Sequence, residues 1–118
     1  MKVNILGTDY TIVYKDYTAD SYFEKYRYAG YCDEVTKTIV VGNLKTFPNM
    51  EDETSAYCKE SEKYTLRHEL IHAFLNESGL STSSTVVDRP WAKNEEMIDF
   101  FAIQIPKIVK TFEKLKLL

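Results

Sequence analysis

The stretch from about Thr54 to Glu77 holds neither glycine nor proline, and Gly79 stands close behind it as a helix stop. The run predicts one long helix. Leu66, Leu70, Ile71, Ala73, Phe74 and Leu75 cover most of that helix's circumference, so it belongs at the centre of the fold. The residues before it carry a different pattern. Val3–Leu6 is short and apolar, Gly7-Thr8 punctuates it, and Thr11–Tyr14 is rich in β-branched and aromatic residues, so 2–16 is predicted to be a β-hairpin. Gly30-Tyr31-Cys32-Asp33 reads as a turn, and Thr38–Val41 as a third strand ended by Gly42-Asn43. Strands first and helices after predict an α+β fold: a small N-terminal antiparallel β-sheet, a central helix and a C-terminal helix.

After the central helix, Ser81–Thr85 is small and polar and reads as a loop. Asp88 is a candidate cap for the last helix, with Pro90 in its first turn. Trp91, Ile98, Phe101, Ala102, Ile105, Ile108, Val109, Phe112 and Leu115 then fall on one face of an amphipathic helix spanning 91–116, which Pro106 is expected to kink or split. Its late lysines solvate the outer face and complement the helix dipole. The chain has 118 residues, with no repeat and no linker, and is expected to be one domain over 1–118. A domain of this size buries roughly two-thirds of its unfolded surface, enough for a modest core.

Composition narrows the function. A net charge of -3 without a strong basic patch argues against nucleic acid as a partner. No run of 18 apolar residues is present, which argues against a membrane span, and the N-terminus lacks the apolar stretch of an export signal, which favours the cytoplasm. Cys32 and Cys58 are too few for a disulfide framework and read as small unpaired hydrophobes. Seven of the nine tyrosines lie between Tyr10 and Tyr31, as expected of the outer layer of a small sheet and its loop.

His68-Glu69-Leu70-Ile71-His72 is an HExxH motif inside the predicted helix, and it uses both of the chain's histidines. Residues four apart on a helix share a face, so both imidazoles can point at one ion. Imidazole suits zinc, and three protein ligands with one open position make a catalytic site. Glu69, between the two in sequence, is placed to act as general base on a water at the metal. No third histidine remains, so a carboxylate or a cysteine must complete the set. On the last helix Glu95 lies within about 60° of the centre of the buried stripe, whereas Glu96 is turned roughly 150° away. Glu95 is therefore the expected third ligand. Asp99, one turn further on, is placed to accept a hydrogen bond from the free ring nitrogen of His68.

These residues resemble the zincin metallopeptidases. His68–His72 followed by Asn94-Glu95-Glu96-Met97-Ile98-Asp99 looks like the gluzincin pattern HExxH…NExxxD, and the layout as a whole resembles small phage-type ImmA/IrrE-like metallopeptidases. The resemblance implies a minimal zincin: a zinc metalloprotease with His68, His72 and Glu95 on Zn2+, Glu69 as base, Asp99 orienting a histidine, and a peptide or protein as substrate. Larger relatives carry a downstream His or Tyr for the oxyanion. This chain has no histidine beyond those of the motif and no tyrosine after Tyr64, which leaves Tyr31, Tyr64, Arg67 and Arg89 as candidates. The competing expectation is a zinc-stabilised binding module whose fourth position is closed by Cys58 or Glu96. An edge strand at Thr38–Val41 is the expected docking line for an extended peptide.

Overall fold

A computed structural model describes residues 1–82 and 90–118. The expected hairpin forms from β1 (Lys2–Ile5) and β2 (Thr8–Lys15), which pair antiparallel. A short helix α1 (Ser21–Tyr26) follows, capped by the Asp20 carboxylate, which accepts from the Tyr22 N–H. Then come β3 (Gly30–Asp33) and β4 (Thr38–Gly42), antiparallel to one another. The chain ends in two long helices, α2 (Ser55–Glu77) and α3 (Glu95–Lys114). The architecture is α+β, as the order of patterns predicts.

The sheet itself corrects the sequence reading in three ways. Its strand order is β1-β2-β4-β3, and β2 runs parallel to β4, so the sheet is mixed rather than antiparallel. A parallel pair requires a crossover, and the segment holding α1 and β3 supplies it. Gly30–Asp33 is a strand and not a turn, and the turn lies between Asp33 and Thr38, where the Asp33 carboxylate accepts from the N–H groups of Val35 and Thr36. β4 is interior, which is why its Ile39, Val40 and Val41 are buried. The free edge on this side is therefore β3 and not Thr38–Val41.

The core lies between sheet and α2, built from Ile5, Tyr10, Ile12, Ile39, Val41 and Ala73. Thr54 caps α2 by accepting from the Tyr57 N–H, and Gly79 ends it at a φ of +81°, a conformation glycine adopts without strain. Glu77 closes the last turn of α2, where a carboxylate opposes the helix dipole. It is held there by Thr8 Oγ1 at 2.9 Å, the Tyr10 hydroxyl at 2.7 Å and Lys37, which together push its carboxyl down to about 2. A carboxyl depressed on folding stabilises the protein above its unfolded value and ceases to as the pH falls through its folded value. Wild-type melting temperature is therefore expected to drop as pH falls from about 4.5 toward about 2. Glu77→Gln is expected to melt lower at neutral pH and to lose less in acid; parallel acid limbs in circular-dichroism melts would disprove this role.

The last helix starts later than its apolar pattern suggests. Trp91–Lys93 is a 3-10 turn with Trp91 exposed, and Asn94 caps α3 by accepting from the Met97 N–H. Asp88, the expected cap, lies outside the described residues, as do Ser83–Thr85 of the expected loop and Arg89. The helix runs on through Pro106. Of its apolar stripe, Ile98 and Ala102 are fully buried, whereas Val109, Phe112 and Leu115 stay exposed, because the packing against α2 is concentrated in the first half of α3.

Candidate metal centre

The most buried row of α2 is Cys58, Thr65, Glu69 and Ala73. Glu69 thus points into the body of the protein, 7% exposed, while His68 and His72 flank that row at the margin of a cleft. The cleft, about 840 Å³, runs between α2, β3 and the start of α3. Because Asn94 is the cap, Glu95 is the first residue of α3, and its carboxylate reaches across to α2.

Four sequence-predicted residues meet around one point. The Nε2 atoms of His68 and His72 are 3.1 Å apart. The Glu95 carboxylate lies 3.2 Å from the first, through Oε2, and 3.3 Å from the second, through Oε1. Asp99 Oδ1 is 2.9 Å from His68 Nδ1. A carboxylate only accepts, so Nδ1 of His68 donates to Asp99, and the ring turns its Nε2 to the cleft. Burial and the neighbouring His68 ring favour neutral His72, outweighing the pull of Glu95, and hold it below its ordinary value. Glu69 completes the cluster, its carboxylate and both imidazoles lying within 4.8 Å of one another.

This donor set fits a tetrahedral divalent cation. Bond lengths of about 2.0–2.1 Å to zinc imply ligand-to-ligand edges of roughly 3.3–3.4 Å, close to the spacings among these three side chains. The histidines converge rather than splay.

Burial, helped by the negative charge of Glu95, pushes the Glu69 carboxyl up to about 8. Neither residue expected to close a fourth position is at hand. Cys58 is buried ten residues earlier on α2, roughly 15 Å along the helix axis. Glu96 faces a neighbouring groove beside Trp91.

Sequence reasoning missed the role of Tyr64. Its hydroxyl donates to Asp99 Oδ1 at 2.8 Å, so the oxygen that orients His68 is itself held. The pair is one helical turn before His68 and one after Glu95, a spacing visible in sequence only once the helices are known to be neighbours. Of the other oxyanion candidates, Arg67 Nε donates to the Ala102 carbonyl at 2.7 Å, and the Tyr31 hydroxyl to Asp20 at 2.6 Å. Asn76, one turn beyond His72, also lines the cleft and was not singled out by its sequence context. No protein-family model, curated protein or solved structure matches this chain, so its function is read from the geometry of this cleft.

Proposed function

We propose that the chain is a zinc-dependent peptidase of the cytoplasm that hydrolyses an extended peptide laid along β3. One observation carries the reading: His68, His72 and Glu95 converge at 3.1–3.3 Å beside a buried carboxylate in an open cleft. Register supports the peptide track. The Gly42 N–H donates to the Ala29 carbonyl, so the hydrogen-bonded pairs are 29/42, 31/40 and 33/38. The backbone groups of Gly30 and Cys32 then face away from β4, at the free edge that borders the cleft.

Zinc, when bound, supplies a Lewis acid that polarises the scissile carbonyl and lowers the pKa of water. The chain's residues do the rest. His68 and His72 would offer their Nε2 atoms, Asp99 and Tyr64 hold the His68 ring, and Glu95 supplies the balancing charge. Glu69 takes a proton from the attacking water as oxygen bonds to the carbonyl carbon. It delivers that proton to the amine nitrogen as the C–N bond breaks. The test is zinc content together with hydrolysis of a mixed peptide library. About one zinc per chain is expected in wild type and far less in His72→Ala. A wild type that takes up no zinc after supplementation would overturn the reading.

A further inference from the structure

Four tyrosines line up beside the metal cluster. The Tyr31 and Tyr22 ring centroids are 5.2 Å apart, Tyr22 and Tyr26 are stacked at 5.3 Å, and Tyr26 and Tyr28 at 5.4 Å. Tyr22, Tyr26 and Tyr28 are each close to half exposed, and Tyr22, Tyr28 and Tyr31 border the same cleft as His68 and His72. This shelf is anchored from below. Asp20, 9% exposed, accepts from the Tyr31 hydroxyl at 2.6 Å, from the Tyr22 N–H at 3.0 Å and from Lys15 at 3.0 Å, which joins β3 to α1.

The β3 end of the cleft beside the shelf carries two acidic side chains. Asp33 and Glu34, at the end of β3, line the cleft, and neither takes part in an ion pair among the described residues. Hydrogen bonds from the turn backbone hold the Asp33 carboxyl below its usual value, so it is ionised at neutral pH. Lys93, beside Glu95, is the one lysine or arginine among the described residues that line the cleft. At its outer end the shelf already engages a cation: Lys25 Nζ lies 5.0 Å from the Tyr26 ring centroid.

We propose that the tyrosine shelf, with Asp33 and Glu34, is a subsite that selects an arginine side chain of the extended peptide. This names a substrate class for the peptidase read above, and it rests on that reading for cleavage though not for binding. A guanidinium lies flat on an aromatic face and offers a planar fork to a carboxylate. A neutral aromatic side chain would stack equally well but would leave the Glu34 carboxylate without a cationic partner. An acidic side chain would be repelled by it. Arginine also suits the direction of the track: a peptide paired with Gly30 and Cys32 runs past Glu34 at one end of β3.

The test separates binding from cleavage. Fluorescent decapeptides that differ at one central position, Arg, citrulline or Leu, are titrated by anisotropy into zinc-loaded Glu69→Gln protein. Metal-depleted wild type serves as a second non-cleaving form. The Arg peptide is expected to bind about tenfold tighter than its citrulline twin at low salt. The double variant Tyr22→Leu with Tyr28→Leu, and separately Glu34→Gln, should bring the Arg and citrulline peptides to equal affinity. All three positions are surface-exposed or at the cleft rim, and circular dichroism checks that the variants fold. Equal affinity for the three peptides, absence of binding by all of them, or a preference that survives the tyrosine variant overturns the subsite. An arginine preference with no hydrolysis by zinc-loaded wild type leaves the subsite standing and removes the peptidase.

Discussion

Glu69→Gln is expected to lower peptide hydrolysis by about 10³-fold while zinc content stays at the wild-type level. The amide keeps the shape of the side chain but cannot accept a proton from water. Glu69 is also not one of the three residues whose spacing matches a metal's ligand edges, so the ion has no reason to leave. The same substitution carries a stability signature. In metal-free protein the Glu69 carboxyl is raised to about 8, chiefly by burial and then by Glu95. A carboxyl raised on folding favours the fold at low pH and loses that contribution as pH climbs through the folded value. Metal-free wild type is therefore expected to melt progressively lower from about pH 5 to about pH 8. Glu69→Gln should flatten that slope, and zinc should reverse it in wild type, because a nearby dication favours the ionised carboxylate. Equal hydrolysis rates for the variant and wild type would remove Glu69 as the base. An unchanged slope would mean the carboxyl is not buried as described.

The second large effect lies at Gly30. A Cβ there would stand 2.6 Å from Thr65 Cγ2 and 2.7 Å from the Val40 carbonyl oxygen. Both are closer than real contacts, and the carbonyl belongs to an interior strand. β3 approaches α2 this closely one turn before His68 and Glu69, so the glycine sets how tightly the edge strand lies against the motif. Gly30→Ala is expected to destabilise by about 2–3 kcal/mol, the range for overpacking a closed contact. In a domain of this size that lowers the melting temperature by roughly 10 °C or more. Thr65→Ser removes the obstructing methyl and keeps the hydroxyl that donates to the Ser61 carbonyl at 3.0 Å. Adding it to Gly30→Ala should recover part of the loss. A Gly30→Ala protein that melts with wild type would show that the strand can move aside.

Much of the site was readable in advance because its logic is local. His68 and His72 share a face by helix geometry, and Glu95 separates from Glu96 by the angle each makes with the stripe through Ile98 and Ala102. Asp99 meets His68 Nδ1 as its spacing from Glu95 suggests. The errors fall where a residue's state depends on a partner distant in sequence. Gly30–Asp33 carries turn residues, yet it pairs along its whole length with β4. The parallel pairing of β2 and β4 leaves no mark in either strand's own pattern. The exposed end of α3 has the same apolar period as its buried start, and packing near the Tyr64 and Arg67 contacts distinguishes them.

The sequence by itself determined that strands precede two long helices, the length of the central helix and the residue types that could hold a metal. These are periodicities and spacings that a chain carries before it folds. Only the tertiary structure decided that β3 is the free edge, that Asn94 caps α3, and that Tyr64 holds the carboxylate holding His68. It also turned the N-terminal tyrosines into a shelf beside the cleft. Each of those outcomes rests on side chains or strands brought together across long stretches of chain, where burial and hydrogen-bond satisfaction, not local propensity, choose the partner.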